Sequence, residues 1–164
     1  MTCFREFFNP ATGELIQFTH TAETTGGELA RFTWRSAPGG VITEHVHPRQ
    51  EERFTITSGQ ARFTINGQER HARAGQTLVV PAGVPHSEGN PGTTDIEGIV
   101  ELRPALRAKQ WHEALAGLAA DFPATPRRER PLAGLVSDLL AVRRAGSGRA
   151  KEGQYCEHTA VVLG

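Results

Sequence analysis

The chain has 164 residues, of which 18 are Lys or Arg and 18 are Asp or Glu, so its formal net charge is zero. That balance provides no general attraction to nucleic acid or to an anionic membrane, and we expect neither as a partner. No apolar run approaches the ~18 residues of a membrane span, and the first ten residues lack the pattern of a secretory signal. The two cysteines, Cys3 and Cys156, indicate a cytoplasmic protein with free thiols, with a disulfide between them as the alternative.

Residues 12–103 carry the pattern of short β-strands separated by Gly and Pro turns. In residues 28–36, ELARFTWRS, apolar and polar side chains alternate as they do in a strand with one buried face. The pair Asn66-Gly67, between two β-rich runs, is the strongest short signal for a hairpin. The region reads as about seven or eight strands without a helical period, which predicts an all-β sandwich or barrel.

The composition changes after Pro104 and predicts a helical extension over residues 104–146. Pro104 suits the first position of a helix, and His112 lies off the apolar stripe of that helix. A Pro-rich connector separates it from a second predicted helix, and residues 147–164 read as a flexible segment or a final strand. The stripe of the first helix consists of Trp111, Leu115, Leu118 and Phe122.

Four ionisable side chains have spacings that indicate a metal site. His45 and His47 are two residues apart, so in a strand both imidazoles leave the same face. Glu52 follows after a bend and can return to that face on the next strand. His86 ends the turn PAGVPH, where a tight bend can direct its imidazole inward. Nitrogen and oxygen ligands of this kind suit Fe(II), Mn(II), Ni(II), Cu(II) or Zn(II).

Two segments that contain these residues resemble the two motifs of the cupin family. Both motifs are intact and in order, at residues 39–59 and 75–90, and the chain resembles the small single-domain cupins that bind metal. The segment GGVITEHVHPRQEERFTITSG matches the first motif at Gly39, His45, His47, Glu52 and Gly59. The segment GQTLVVPAGVPHSEGN matches the second motif at Gly75, Pro81, Gly83, His86 and Asn90.

The resemblance implies an all-β jelly-roll barrel over residues 1–103, with one divalent transition metal near its centre. It also implies a homodimer. Glu51 fits a shorter version of the first motif, but only Glu52 keeps six residues before Gly59 and stays in phase with Phe54, so we expect Glu52. Asn90 is interpreted as a turn residue rather than a ligand. By motif position the metal ligands would be His45, His47, Glu52 and His86.

The leading functional hypothesis is a metal-dependent oxidoreductase of the dioxygenase type that acts on a small, largely apolar or aromatic molecule. Glu52 would be its catalytic residue, shifting between metal ligand and base. Phe54, Ile56 and Phe63 are candidates for the substrate pocket, although packing in the core would explain them equally well. Two alternatives stay open: a cupin that binds a small ligand or metal without turnover, and a cupin isomerase or epimerase.

Overall fold

The computed structural model describes residues 6–121 and 161–162, and their backbone is organised mainly as β-strands. Two helices accompany the strands: α1 (Ala22–Thr25) and α2 (Ala108–Asp121). The strands are β1 (Glu6–Asn9), β2 (Glu14–His20), β3 (Ala30–Ser36), β4 (Val41–Val46), β5 (Glu51–Ser58), β6 (Gln60–Ile65), β7 (Gln68–Arg73), β8 (Thr77–Val80), β9 (His86–Gly89), β10 (Ile96–Arg103) and β11 (Val161–Val162).

The strands form two sheets. One is six-stranded in the order β1-β2-β3-β10-β5-β8, and the other is five-stranded in the order β11-β4-β9-β6-β7. Neighbours are antiparallel except β11, which runs parallel to β4. Strands distant in sequence therefore lie side by side, as in a jelly roll, and the predicted all-β fold with a C-terminal helix is confirmed.

The core lies on the inward faces of the two sheets. In β3 the side chains of Phe32 and Trp34 are buried while Thr33 and Arg35 are exposed, so the alternation read from the sequence is confirmed. Each large apolar side chain that is fully buried stabilises the fold by roughly 1.5–3 kcal/mol. The most completely buried apolar side chains are Phe18, Phe54, Phe63, Ile56, Ile96, Leu102, Val80 and Val100.

The predicted hairpin at Asn66-Gly67 connects β6 to β7. Both residues have positive φ angles, 48° for Asn66 and 73° for Gly67. A two-residue turn of this kind needs two left-handed residues to match the twist of its strands, and Asn and Gly adopt that conformation at the lowest cost. The sequence predicts this turn correctly because the two turn residues by themselves meet its backbone requirement.

Between residues 12 and 103 the chain has nine strands, more than the seven or eight predicted. The strand hardest to see in the sequence is β9, whose residues HSEG include no strong β-former. It lies between β4 and β6 and pairs with both. Hydrogen bonding on two sides therefore imposes the extended conformation that the local sequence does not favour.

The first predicted helix begins later than expected and faces the barrel differently. It starts at Ala108 rather than Pro104, because Leu106 has a left-handed φ of 44° that breaks a helix. Its inner face carries His112, whose ring lies 5.0 Å from that of Phe32, whereas Leu118 of the predicted stripe is 42% exposed. The placement of His112 off the buried face was therefore wrong. Phe122, the connector and the second predicted helix lie outside the described residues.

Membrane insertion was not expected from the sequence. Neither of the two helices in the described ranges has the length and the apolar character needed to cross a bilayer.

Candidate metal centre

The two sheets bring the four predicted ligands together from separate parts of the chain. His45 lies on β4 and His86 opens β9, and the two residues are paired in the ladder of the five-stranded sheet. His47 follows β4, whereas Glu52 lies on β5 in the facing sheet. All four residues are buried, with exposed fractions from 1% for His86 to 8% for His45 and His47.

The imidazoles of the cluster converge on one carboxylate oxygen. The Nε2 atoms of His86, His47 and His45 lie 2.8, 3.1 and 4.0 Å from Glu52 Oε2. One donor atom from each of the four residues lies within 4.8 Å of every other. Two ligands about 2.1 Å from one ion and at right angles would be about 3 Å apart. The cluster is therefore compatible with a divalent metal, whose identity these donors leave open.

Backbone carbonyls orient two of the imidazoles. Nδ1 of His45 donates to the carbonyl oxygen of Thr43 at 2.9 Å, and Nδ1 of His86 donates to that of Val84 at 3.1 Å. These bonds place a proton on each Nδ1, so Nε2 is the nitrogen that would bind a metal. Nδ1 of His47 is buried and has no hydrogen-bond partner among the described residues.

The backbone of His47 is fixed by the turn of the second motif. The Gly83 N–H donates to the carbonyl oxygen of His47 at 2.8 Å. Gly83 has a φ of 78°, in the left-handed region that favours glycine, which explains why this turn carries glycine. This backbone hydrogen bond therefore links the turn of the second motif to the first motif directly beside the cluster.

The cluster perturbs the pKa values of its own members. Burial alone would raise the pKa of Glu52, but hydrogen bonds from His47 and His86 outweigh it and hold that pKa far below its ordinary value. Burial would lower the pKa of His86, but the bond to Glu52 outweighs burial and raises it. For His45, burial followed by the charge of His86 lowers the pKa to about 4. Glu52 is thus ionised and His45 neutral near pH 7, as ligands must be.

The choice between the two adjacent glutamates is clear in the structure. Glu52 is 6% exposed and belongs to the cluster, whereas the side chain of Glu51 is 42% exposed and contacts Arg53 at 3.4 Å. Strand alternation separates them, because neighbouring side chains of β5 leave opposite faces of the sheet.

The predicted pocket residues lie in the core next to the cluster. The ring centroid of Phe54 lies 6.4 Å from that of His86, and the tilted ring of Phe63 packs against Phe54 at 4.9 Å. Ile56 is 1% exposed. All three residues belong to the hydrophobic core, and their contact with a substrate stays a prediction.

Asn90 matches its expected role in a turn. Its Nδ2 donates to the carbonyl oxygens of Ser36 and Thr94, both at 2.8 Å, and its Oδ1 accepts the Gly92 N–H. Both polar atoms of the Asn90 side chain are therefore hydrogen-bonded, and these bonds connect the end of β9 to the end of β3.

Two carboxyl groups that the sequence did not reveal lie on inward positions of their strands: Glu88, which is buried, and Glu14, which is partly buried. Glu14 accepts a 2.7 Å hydrogen bond from Trp34 Nε1, and burial raises the pKa of Glu14 to about 7. Burial, followed by the charges of Glu52 and Glu14, raises the pKa of Glu88 well above its usual range. The available signal was strand phase: Glu14 lies two residues from buried Ile16, and Glu88 lies two residues from buried His86, so each carboxyl group shares a face with a buried side chain.

Gln50, in the loop between His47 and Glu52, is buried. Its Nε2 donates to the carbonyl oxygens of Pro104 and Ala105 at 2.9 and 3.1 Å. The loop between His47 and Glu52 is therefore held against the segment that leads into α2.

A surface hollow of the described chain lies away from this cluster. It has a volume of about 380 Å³ and is lined by residues of β1, β2, β3, β5 and β10, including Leu15, Arg35 and Ile99. The chemistry of the donor atoms, rather than the size of this hollow, identifies the candidate site.

Comparison with known proteins points to one family. Residues 32–100 match the family model described as "Cupin domain". The solved structure of KdgF from Halomonas sp. superimposes with a TM-score of 0.57 at 17% identity, covering 66% of this chain and 98% of that chain. At this identity the likeness concerns the fold.

Two curated relatives match the chain over shorter regions. The HTH-type transcriptional regulator PuuR of Escherichia coli (strain K12) is 40% identical over 53 residues, which are 32% of this chain and 29% of PuuR. Oxalate oxidase 1 of Hordeum vulgare is 35% identical over 74 residues, covering 40% of this chain and 37% of the oxidase. The chain therefore spans well under half the length of these two relatives.

Proposed function

The chain belongs to the cupin superfamily, and from this premise we propose that it is a metal-dependent oxidoreductase of the dioxygenase type. Its substrate would be a small, largely apolar or aromatic organic molecule. The proposal places the protein in the cytoplasm, with small molecules rather than nucleic acid or membrane as partners.

The observation that carries this proposal is the convergence of three imidazole Nε2 atoms on Glu52 Oε2. His45, His47, His86 and Glu52 would hold one divalent ion of Fe, Mn, Ni, Cu or Zn. Four protein donors leave one or two positions free on an ion that takes five or six. When bound, such an ion supplies Lewis acidity and, for the redox-active metals, electron transfer between substrate and dioxygen.

Glu52 would also handle the proton of an acidic substrate hydroxyl. Its carboxylate is ionised, and its Oε2 already accepts hydrogen bonds from two imidazoles. A substrate hydroxyl held beside Oε2 would be within reach for proton transfer. The 35% identical oxalate oxidase supports oxygen chemistry in a related domain.

The surroundings of the cluster support an apolar or aromatic substrate. Phe54, Phe63 and Trp34 form a connected set of rings on the inner face, with centroid distances of 4.9 and 6.0 Å. Side chains of this kind exclude water and strengthen electrostatic interactions at a nearby metal.

Elemental analysis of the purified full chain tests the ligand set. We expect about one equivalent of a transition metal in the parent and below about a tenth of that in His86→Ala, because removing one ligand weakens the site sharply. His71→Ala is the matched control, since His71 is an exposed imidazole on β7. Metal-dependent uptake of dioxygen with catechols or other electron-rich aromatics is the accompanying assay. A parent that takes up no metal after anaerobic reconstitution would contradict the proposal.

A second candidate is a binding domain that senses a small ligand without turnover. The match to a transcriptional regulator, PuuR, favours it. The same experiments separate the two candidates: a sensor would bind metal or ligand stoichiometrically and consume no dioxygen with any substrate offered.

A further inference from the structure

We propose that His47 is the exchangeable ligand of the metal centre, and that a substrate with two adjacent oxygen donors takes its place. His45, Glu52 and His86 are then the ligands that hold the ion throughout. This inference rests on the proposed function and narrows its substrate class to small apolar or aromatic molecules that can chelate.

The three imidazoles of the cluster differ in what their Nδ1 atoms contact. Nδ1 of His45 lies 2.9 Å from the carbonyl oxygen of Thr43, and Nδ1 of His86 lies 3.1 Å from that of Val84. Nδ1 of His47 is buried and has no hydrogen-bond partner within the described part of the chain. Of the three rings, that of His47 is therefore the one that no bond at Nδ1 orients.

This difference affects metal binding, because a neutral imidazole that binds an ion through Nε2 carries its proton on Nδ1. On His45 and His86 that proton meets a carbonyl oxygen, whereas on His47 it would be buried without an acceptor. Metal-binding histidines almost always donate from their other nitrogen, and losing that partner typically lowers metal affinity about 10- to 100-fold. His47 is therefore the weakest of the three imidazole ligands.

The backbone also restrains His47 less than the other two histidines. His45 lies on β4 and His86 on β9, and the two residues are paired in the ladder of the five-stranded sheet. His47 follows the end of β4, where its carbonyl oxygen accepts a bond from the Gly83 N–H. Its side chain can therefore rotate without disturbing the pairing of β4 with β9.

Glu52 is the other ligand that could give up its position, but its surroundings oppose this. It is 6% exposed, and its Oε2 lies 2.8 Å from Nε2 of His86 and 3.1 Å from Nε2 of His47. Withdrawing a buried carboxylate from a cation leaves an unpaired charge in the interior, which costs far more than withdrawing a neutral imidazole. Glu52 therefore remains bound when His47 leaves.

The number of coordination positions gives the exchange a chemical purpose. Four protein donors leave two positions on a six-coordinate ion, and a substrate with two oxygen donors fills both. With His47 displaced, two histidines and one carboxylate remain, which is the ligand set that non-haem iron oxygenases use to keep positions open. A position is then available for dioxygen as well as for the chelating substrate.

The test counts the imidazoles on the metal before and after a chelating probe is added. Pulsed electron paramagnetic resonance detects the imidazoles bound to Cu(II) in the copper-loaded full chain. The probe is tropolone, an aromatic molecule with two adjacent oxygen donors, and its methyl ether, in which one oxygen is blocked, is the reference. We expect three imidazoles in the parent, two after tropolone and three after the ether. Copper should stay at about one equivalent after gel filtration with tropolone.

Substitution then identifies the imidazole that leaves. His47→Ala should show two imidazoles with and without tropolone, and it should bind tropolone about tenfold more tightly than the parent because no ligand has to be displaced. His45→Ala should bind copper at least about tenfold more weakly than His47→Ala does. His71→Ala, which removes an exposed imidazole on β7, is the matched control and should behave as the parent. Thermal unfolding checks each fold, and His47→Leu, of similar volume and without a ligand atom, is the second variant at this position.

Three results for the parent would overturn the inference: three imidazoles that persist with tropolone bound, no binding of tropolone, or loss of copper to it. A folded His47→Ala or His47→Leu variant that gives up a further imidazole to tropolone would also contradict it, because another histidine would then be the exchangeable one. The measurements involve no turnover, so these results stand apart from a failure of the proposed function, which would appear as a parent without bound metal or without dioxygen uptake.

Discussion

Glu51 and Glu52 are adjacent in sequence, yet their side chains lie in opposite environments, one in solvent beside Arg53 and the other in the buried cluster. Motif spacing and strand phase predicted Glu52 rather than Glu51, and Glu52 is the one that lies in the cluster. Its role as a metal ligand stays a prediction. Glu14 and Glu88 have the same phase as their buried neighbours, but phase alone does not show that a carboxyl group will be tolerated inside. Their environment depends on Trp34, Ser36 and other residues contributed by distant strands.

Glu14 makes the stability of the metal-free protein depend on pH. Burial raises its pKa from 4.5 to about 7, so between these values the folded chain holds a proton that the unfolded chain releases. Its stabilising contribution is therefore complete below about pH 4.5 and is lost as the pH rises through about 7. Relative to the parent, Glu14→Gln should gain about 1–3 kcal/mol in free energy of unfolding between pH 4.5 and pH 8.

Urea unfolding of the stripped protein at pH 4.5 and pH 8 measures this effect. Glu97→Gln is the control, because Glu97 is exposed on β10, and it should show a much smaller difference between the two pH values. If Glu14→Gln and the parent lost stability in parallel, Glu14 would ionise as readily in the folded chain as in the unfolded one.

At the level of elements, local sequence and tertiary contacts contributed differently. The turn between β6 and β7 was predictable because Asn66 and Gly67 satisfy its backbone requirement by themselves. Strand β9 and the buried face of α2 were not, because β9 depends on its two neighbours and α2 on the rings of Phe18 and Phe32. The spacing of hydrophobic residues predicted helix α2 but not the face of α2 that packs against Phe18 and Phe32.

Two glycine substitutions should have opposite effects on these elements. A Cβ at Gly98 on β10 would lie 2.8 Å from the Thr55 carbonyl oxygen and 3.4 Å from Trp34 Cε3, too close to fit without moving the strand. Gly98→Ala should therefore lower the free energy of unfolding by about 1–3 kcal/mol. A Cβ at Gly117 on α2 meets nothing within 4 Å, and Gly117→Ala should raise it by about 0.5–1 kcal/mol.

Chemical denaturation of both variants beside the parent is the measurement. Equal effects of the two substitutions would mean that the approach of β5 to β10 is looser than the structure indicates.

For the whole molecule, the two facing sheets explain why one cluster can be built from both motifs. The six-stranded sheet ends in β1 and β8, and both of these strands carry an exposed apolar side chain, Phe8 at 57% and Val79 at 38%. Edge strands have unpaired backbone groups, and natural proteins often cover them by association. The homodimer expected from the family resemblance is therefore a prediction with a specific surface.

Sedimentation analysis tests that prediction. We expect the parent to sediment as a species with twice the chain mass of 17.8 kDa. Phe8→Asp should shift the population toward monomer, because a charge on an apolar contact opposes association. Val41→Asp is the control, since Val41 is 39% exposed and lies on β4 of the other sheet. A parent that sediments as a monomer at all concentrations would contradict the prediction.

The sequence by itself determined what depends on order and spacing along the chain. These features are the β alternation, the Asn66-Gly67 turn and the identity of the four clustered residues, because each is set by local periodicity or by a motif with strict register. Tertiary structure decided which strands became neighbours. It thereby decided that HSEG is a strand, that His112 lies against Phe32, and that Glu14 and Glu88 share the interior with the cluster. Those outcomes follow from burial and hydrogen bonding between residues far apart in sequence, which no local pattern encodes.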